Sequence, residues 1–161
     1  MIFSYKDVIA LSLSKIVVDK FIDYMKHYRF GIESGGIIIG TLNPAANQII
    51  ATDVTEPQKK DRQSTFAFLR SEYGHQEIMN NLWESSGRIK TYLGEWHTHN
   101  QNIPKPSCID KKNWIEISRR KQNSNWLFFT IVGKQDIGVW TISDGKIVKM
   151  TCASNLKLQD K

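Results

Sequence analysis

The stretch Ile89–Asp110, IKTYLGEWHTHNQNIPKPSCID, decides how this 161-residue chain is read. Its opening, Ile89–His99, reads as a strand, and the Pro-punctuated Asn100–Pro106 reads as a loop. Ser107, with an acid three residues on, predicts the start of a helix that runs to about Gln122. On a strand, residues two apart share a face, so His97 and His99 can converge on one ion while Thr98 points away. Asp110, in the first turn of the next helix, can swing back as a third ligand. Two histidines and one carboxylate leave a position open for water, which is the arrangement of catalytic rather than structural zinc sites. Taken singly, each histidine reads as an ordinary hydrogen-bonded residue, and Ser107–Asp110 as an N-cap with an acid favoured by the helix dipole. The joint spacing of His-x-His, seven residues, Ser, two residues, Asp favours the metal reading.

Working outward, Gly35–Leu42 (GGIIIGTL) is a buried strand closed by Asn43-Pro44, and Gln48–Val54 is its hairpin partner. Glu33 stands just before that buried run. A loop acid facing solvent is the bland reading; with a metal pattern downstream, a carboxylate facing a polar site is preferred. Val8–Ser12 predicts a short strand, and Lys15–Tyr28 an amphipathic helix with Ile16, Val17, Phe21, Ile22 and Met25 near helical spacing. Ser64–Leu69 predicts a strand and Glu72–Ser86 a helix stopped by Gly87. Leu127–Val132, Ile137–Ile142 and Lys146–Met150 predict three closing strands. The class is therefore α/β (α+β), a single mixed β-sheet flanked by about three helices. With no repeat or linker, residues 1–153 are read as one domain and residues 154–161 as a polar tail.

Composition excludes several classes. Hydrophobic residues make up 40% and charged residues 24% of the chain, which is ordinary globular usage. Two cysteines, Cys108 and Cys152, rule out a disulfide scaffold or a four-cysteine zinc module and suit a reducing, cytoplasmic setting. Lys6, Asp7 and Lys15 interrupt the apolar core that a secretory leader needs, so none is expected. Residues 34–52 carry no charge over 19 positions, yet Asn43, Pro44, Asn47 and Gln48 break them as a membrane helix. The net charge of +6, from 22 Lys+Arg against 16 Asp+Glu, is scattered in pairs such as Lys111-Lys112, so a dedicated nucleic-acid surface is not expected. A zinc deaminase needs H-x-E followed by P-C-x-x-C, whereas Pro106-Ser-Cys108 has no second cysteine nearby. Cys108 is read as a buried apolar cysteine, His27 and His75 as structural residues without partners, and Trp96, Trp114 and Trp126 as packing residues.

Glu33-Ser-Gly-Gly-Ile-Ile-Ile-Gly40, followed by His97-Thr-His99, Pro106-Ser107 and Asp110, resembles the JAMM signature of the JAB/MPN metalloproteases. The resemblance spans about Val8 to Ile142. It implies an MPN/JAB fold, one Zn2+ per chain, and hydrolysis of isopeptide or peptide bonds after the C-terminus of a ubiquitin-like modifier. Carried over by position, His97, His99 and Asp110 bind zinc, Glu33 is the general base, and Ser107 donates to the oxyanion. Asn100 departs from the proline that follows the second histidine in many members, which bears on loop stiffness. Glu95, two before His97, competes as a ligand or as a partner orienting a histidine, and ranks below Asp110. The small size is similar to the stand-alone bacterial JAB deconjugases found with E1/E2-like enzymes in CBASS antiphage systems. That implies a protein substrate with a flexible C-terminal tail, an E1/E2-like conjugating partner, and a cyclic-nucleotide synthase as conjugated target. The alternative is a non-catalytic MPN scaffold or protein-binding module, but such scaffolds lose the metal residues that are present here.

Overall fold

The apolar run that begins at Gly35 becomes the centre of a mixed sheet in the computed structural model, which describes residues 1–27, 31–43, 48–120 and 124–153. In chain order the elements are β1 (Ile2–Tyr5), β2 (Ile9–Leu13), α1 (Lys15–His27), β3 (Gly35–Asn43), β4 (Gln48–Val54), β5 (Arg62–Gln63), β6 (Phe68–Leu69), α2 (His75–Ser85) and β7 (Thr91–Thr98). There follow α3 (Cys108–Ser118), β8 (Phe128–Val132), β9 (Ile137–Ser143), β10 (Lys146–Lys149) and β11 (Thr151–Cys152). Nine strands form one sheet in the order β10-β9-β8-β7-β3-β4-β2-β1-β11, and β5 and β6 pair separately. The pairs β2/β4 and β7/β8 are parallel and the rest antiparallel. Only Met150 separates β10 from β11, which lie at opposite ends of that order, so the sheet curls until its two edges meet. The Met150 N–H donates to the Val139 carbonyl at 2.8 Å, and the Ala153 N–H to the Ile2 carbonyl at 2.8 Å. This seam leaves little open strand edge.

The two faces of the sheet are covered differently. On one, Ile38, Leu93, Trp96 and Phe128 pack with Val17 and Phe21 of α1. On the other, Ile37 and Ile39 meet Met79 of α2, and Phe129 and Ile131 meet Trp114 of α3, with the half-buried Tyr92 touching both clusters. Each such fully buried side chain contributes about 1.5–3 kcal/mol.

A bulge in β7 decides which face receives the chemistry. The β3/β7 register steps from Ile38↔Gly94 to Ile39↔Tyr92, leaving Leu93 as an extra residue. Gly94 takes φ +143°, and a Cβ there would stand 1.9 Å from the Phe128 carbonyl oxygen, so no side chain fits. The bulge resets the alternation. Leu93 and Trp96 both face α1, while Tyr92, Glu95 and His97 share the face covered by α2 and α3.

Several expectations need correction. Ser64–Leu69 is not one strand but the turn and return of the β5–β6 hairpin. The Ser64 hydroxyl oxygen accepts from the Phe66 and Ala67 N–H groups at 3.3 and 3.0 Å, a local bonding pattern that competes with extended structure. Helix α2 begins at His75 rather than Glu72, and α3 ends at Ser118, with Arg119 as C-cap, rather than near Gln122. The two-residue β11 and all of β1 were not anticipated; at two and four residues both are too short to show a clear alternating pattern. Trp96 and Trp114 are core residues and Trp126 packs against the core, as expected. Tyr28, Pro44 and the 154–161 tail lie outside the described residues. No described helix is long and apolar enough to cross a membrane.

Candidate metal centre

Three segments meet at the C-terminal end of β7. The register pairs His97 with Gly35. Thr98 turns from the histidines as expected and ties down the chain before β3: its N–H donates to the Ser34 carbonyl at 2.7 Å, and its Oγ1 accepts from the Ser34 N–H at 2.9 Å. The Glu33 N–H in turn donates to the Ser64 carbonyl at 2.8 Å, so the hairpin braces Glu33 from outside. The third segment is the start of α3, where Ser107 and Asp110 form a full capping box. The Asp110 N–H donates to Ser107 Oγ at 3.1 Å, and the Ser107 N–H donates to Asp110 Oδ2 at 2.6 Å. That box aims the Asp110 carboxylate at β7.

There the polar groups converge. His97 Nε2 and His99 Nε2 stand 3.0 Å apart, and Asp110 oxygens lie 3.3 Å from each. Glu33 Oε1 is 3.6 Å from His99 Nε2. Glu33, His97 and His99 are all buried, with ligand atoms within 4.8 Å of one another. Two sets of three could therefore hold an ion, one with Glu33 and one with Asp110. The second is tighter, because Asp110 reaches both histidines whereas Glu33 is close to one.

Electrostatics separates the two carboxyls. Burial pushes the Glu33 carboxyl up, and although His99 and His97 pull against it, its pKa ends raised. Burial also acts upward on Asp110, but hydrogen bonds from His97 and His99 outweigh it and hold the acid well below the usual carboxylate range. For His99 burial acts downward, and the Asp110 and Glu33 carboxylates overcome it, so its pKa is raised. Asp110 is thus the committed anion and Glu33 the carboxyl with an appetite for a proton. Two imidazole nitrogens aimed at one point beside a fixed carboxylate make a donor set that suits a divalent ion such as zinc, and the cluster is compatible with a metal site.

Glu95 does not join it. Its Oε1 accepts from Arg70 Nε at 2.7 Å and from the Tyr92 hydroxyl at 3.4 Å, so β6 is clamped to β7 beside the site. Arg70 carries no motif and was missed. A cavity of about 200 Å³, lined by Phe68, Arg70, Glu95, Asn113 and Glu116 among others, opens between that clamp and α3. Gly35 lets the hairpin close down, since a Cβ there would stand 2.6 Å from the Phe68 ring. His75 is structural, but it does have partners. Its Nε2 lies 2.9 Å from Asp61 Oδ2, with both side chains fully buried, and its Nδ1 lies 2.6 Å from Thr55 Oγ1. Asp61 also accepts from the Gln58 and Ser71 N–H groups, closing both ends of the segment that bears the hairpin. Cys108 is exposed rather than buried, because the face α3 turns to the core is the one that bears Trp114.

Residues 14–143 match the family described as prokaryotic homologs of the JAB domain. Three relatives are each named "CD-NTase/cGAS isopeptidase". The one from Escherichia coli is 32% identical over 76% of this chain and 76% of its own length. Those from Pseudomonas aeruginosa and Vibrio cholerae are 27% and 30% identical, over 77% and 74% of each chain respectively. The solution structure of protein DSY2949 from Desulfitobacterium hafniense shares the fold, with a TM-score of 0.63 at 15% identity over 86% of this chain and 88% of that one.

Proposed function

The chain belongs to the family of prokaryotic homologs of the JAB domain and is a hydrolase of JAB type, and from that premise we propose that it is a zinc-dependent isopeptidase or peptidase. Its substrate is a protein joined through its flexible C-terminal tail by an E1/E2-like enzyme. The observation that carries the reading is the convergence of His97 and His99 Nε2, 3.0 Å apart, on an Asp110 carboxylate 3.3 Å from each, with Glu33 buried alongside. Likeness to proteins named CD-NTase/cGAS isopeptidase supports a cyclic-nucleotide synthase as the conjugated target and a place in bacterial antiphage defence.

In this reading His97, His99 and Asp110 hold the ion. A zinc ion held by these three would supply Lewis acidity, which polarises a carbonyl and lowers the pKa of water toward about 7. Glu33, whose carboxyl already favours protonation, takes the proton of the attacking water and passes it to the leaving amine nitrogen. Ser107 Oγ accepts the Asp110 N–H, and its hydroxyl, which also bonds the Asp110 carboxylate, would turn from that acid to donate to the carbonyl oxygen as charge develops. The hairpin and the 100–106 loop shield the centre. The loop is held by the Lys134 and Gln135 N–H groups, which donate to the Gln101 and Asn102 carbonyls at 2.7 and 3.1 Å, so Asn100 in place of proline does not leave it unsupported.

Elemental mass spectrometry on protein purified without added metal or chelator tests the assignment. About one zinc per chain is expected in wild type and Glu33→Gln, with loss in His97→Ala/His99→Ala. Glu33→Gln should also lose cleavage by about 10²–10⁴-fold. Zinc kept in Asp110→Ala but lost in Glu95→Ala would refute the ligand set, and wild-type protein without zinc after reconstitution would favour a scaffold.

A further inference from the structure

An imidazole binds a metal ion through a ring nitrogen that carries no proton, and which nitrogen that is depends on what the other one bonds. His99 turns Nε2 into the centre, 3.0 Å from His97 Nε2 and 3.3 Å from Asp110 Oδ2. Nδ1 is left to be held from outside. The group that reaches the ring from the loop is the side chain of Gln101, two residues on, which hydrogen-bonds His99. That bond strengthens the ring's hold on a proton, so the part of the amide that faces it is the oxygen, an acceptor, and not the NH2.

Gln101 is itself fixed at two points. Its main-chain carbonyl accepts the Lys134 N–H at 2.7 Å, which ties it to the turn between β8 and β9, and its Oε1 accepts the Lys105 N–H at 2.8 Å. Gly133 permits that approach, because a Cβ there would stand 2.8 Å from the main-chain oxygens of both Gln101 and Asn102. The His99 N–H donates to the Val132 carbonyl at 2.9 Å, so the ring and the amide both hang from the end of β8. An amide oxygen has two lone pairs, and Oε1 can accept from Lys105 and His99 together. A neutral acceptor also suits this place. The centre already holds two buried or half-buried carboxyls, Glu33 and Asp110, and a third negative charge beside them would have to be paid for in repulsion.

We propose that Gln101 is a positioning residue for the metal centre: its Oε1 accepts the His99 Nδ1–H, fixes that tautomer and the tilt of the ring, and so presents the Nε2 lone pair to the ion. The inference rests on the zinc reading of the site. In this role Gln101 touches neither ion nor substrate and acts through His99 alone. It carries no motif, and it lies on the exposed face of the loop, so replacing it removes no core contact.

The test compares full-length wild type, Gln101→Ala and Gln101→Glu. Zinc affinity is read by competition with a chromogenic chelator, and the His99 ring by long-range nitrogen–proton correlation spectra of the imidazoles. Gln101→Ala should bind zinc about 10–100-fold more weakly at unchanged circular dichroism, and Gln101→Glu, which restores an acceptor of similar reach, should recover at least most of that loss. In metal-free protein at alkaline pH, where the ring is neutral, wild-type His99 should carry its proton on Nδ1, and Gln101→Ala should populate the Nε2–H form. A side chain that merely stapled the loop would leave the tautomer alone. Zinc binding by Gln101→Ala within about two-fold of wild type, an Nε2–H tautomer at wild-type His99, or no recovery in Gln101→Glu would each overturn the inference. Wild-type protein that takes up no zinc after reconstitution would sink the zinc reading and this inference with it, whereas tight wild-type binding that Gln101→Ala leaves unchanged would sink the positioning role only.

Discussion

Asp61→Ala probes the link between a buried pair and the site some distance away. The substitution removes the carboxylate that holds His75 Nε2 at 2.9 Å and accepts the Gln58 and Ser71 N–H groups at 2.6 and 2.7 Å. Both side chains of the pair are fully buried, so water cannot replace the lost acceptor without opening the segment. Breaking such a pair from one side costs about 3–5 kcal/mol. In a chain of this length each kcal/mol lowers Tm by about 2–4 °C, which puts the expected drop at about 6–20 °C. The damage should not stay local. Asp61 fixes both ends of the segment bearing the hairpin, and the hairpin's Ser64 carbonyl holds the Glu33 N–H. Hydrogen exchange should therefore accelerate at the Glu33 amide and over residues 58–71, while the β8–β9 amides exchange as in wild type. Calorimetry with exchange mass spectrometry reads both quantities. A Tm loss under about 3 °C, or an unchanged Glu33 amide beside a destabilised hairpin, would refute the argument that this pair braces the site.

Three further outcomes follow from the same geometry. Ser107→Ala removes a capping-box acceptor and a hydroxyl donor together, so thermal melts should show a loss of about 1 kcal/mol while cleavage falls by about 10²–10³-fold, with Ser107→Thr restoring both. Gly94→Ala forces a Cβ to within 1.9 Å of the Phe128 carbonyl at φ +143°; it should cost about 4 kcal/mol or more in denaturant unfolding, and a loss under about 1 kcal/mol would mean the bulge is dispensable. Glu33 sets the pH behaviour. Because its folded pKa is raised, the folded state holds that proton more tightly than the unfolded chain, so this group's contribution falls as pH rises from about 4.5 through the raised value. Chelator-treated Glu33→Gln should thus melt above chelator-treated wild type at neutral pH, with the gap closing in acid.

Much of the sheet was legible because its strands are buried on both faces and written in long apolar runs. Ile37–Ile39, Phe128–Val132 and Ile137–Trp140 leave little else to be. The convergence of the candidate metal residues was legible for a different reason: a period-two pair on a strand and a capped acid on a helix are each set by local geometry, so their spacing survives in one dimension. The ends of elements were not. Ser64 satisfies neighbouring amides with its own hydroxyl, and the strand expected at 64–69 becomes a turn. The seam that closes the sheet depends on Met150 lying between two edges, which no local pattern in the seven residues from Lys146 to Cys152 encodes.

Arg70, Asp61 and His75 were illegible because their meaning is pairwise and distant. Arg70 finds Glu95 across 25 positions, and His75 finds Asp61 and Thr55 across 14 and 20. All three pairs involve the segment between β4 and β7, a long stretch whose backbone lies outside the main sheet. Such a segment cannot hold its place by ladder bonds and must be fixed by side chains. That division has a functional consequence. The proposed metal ligands sit on or beside β7 and in the first turn of α3, which the core makes rigid, whereas the hairpin that braces Glu33 is held by a few buried polar contacts. Replacing those contacts should move substrate preference before it moves metal binding: Glu95→Gln, which weakens the clamp on Arg70 while leaving His97, His99 and Asp110 untouched, should raise KM for a tailed conjugate several-fold at full zinc occupancy. Loss of zinc in Glu95→Gln would instead mean that the clamp supports the metal centre itself.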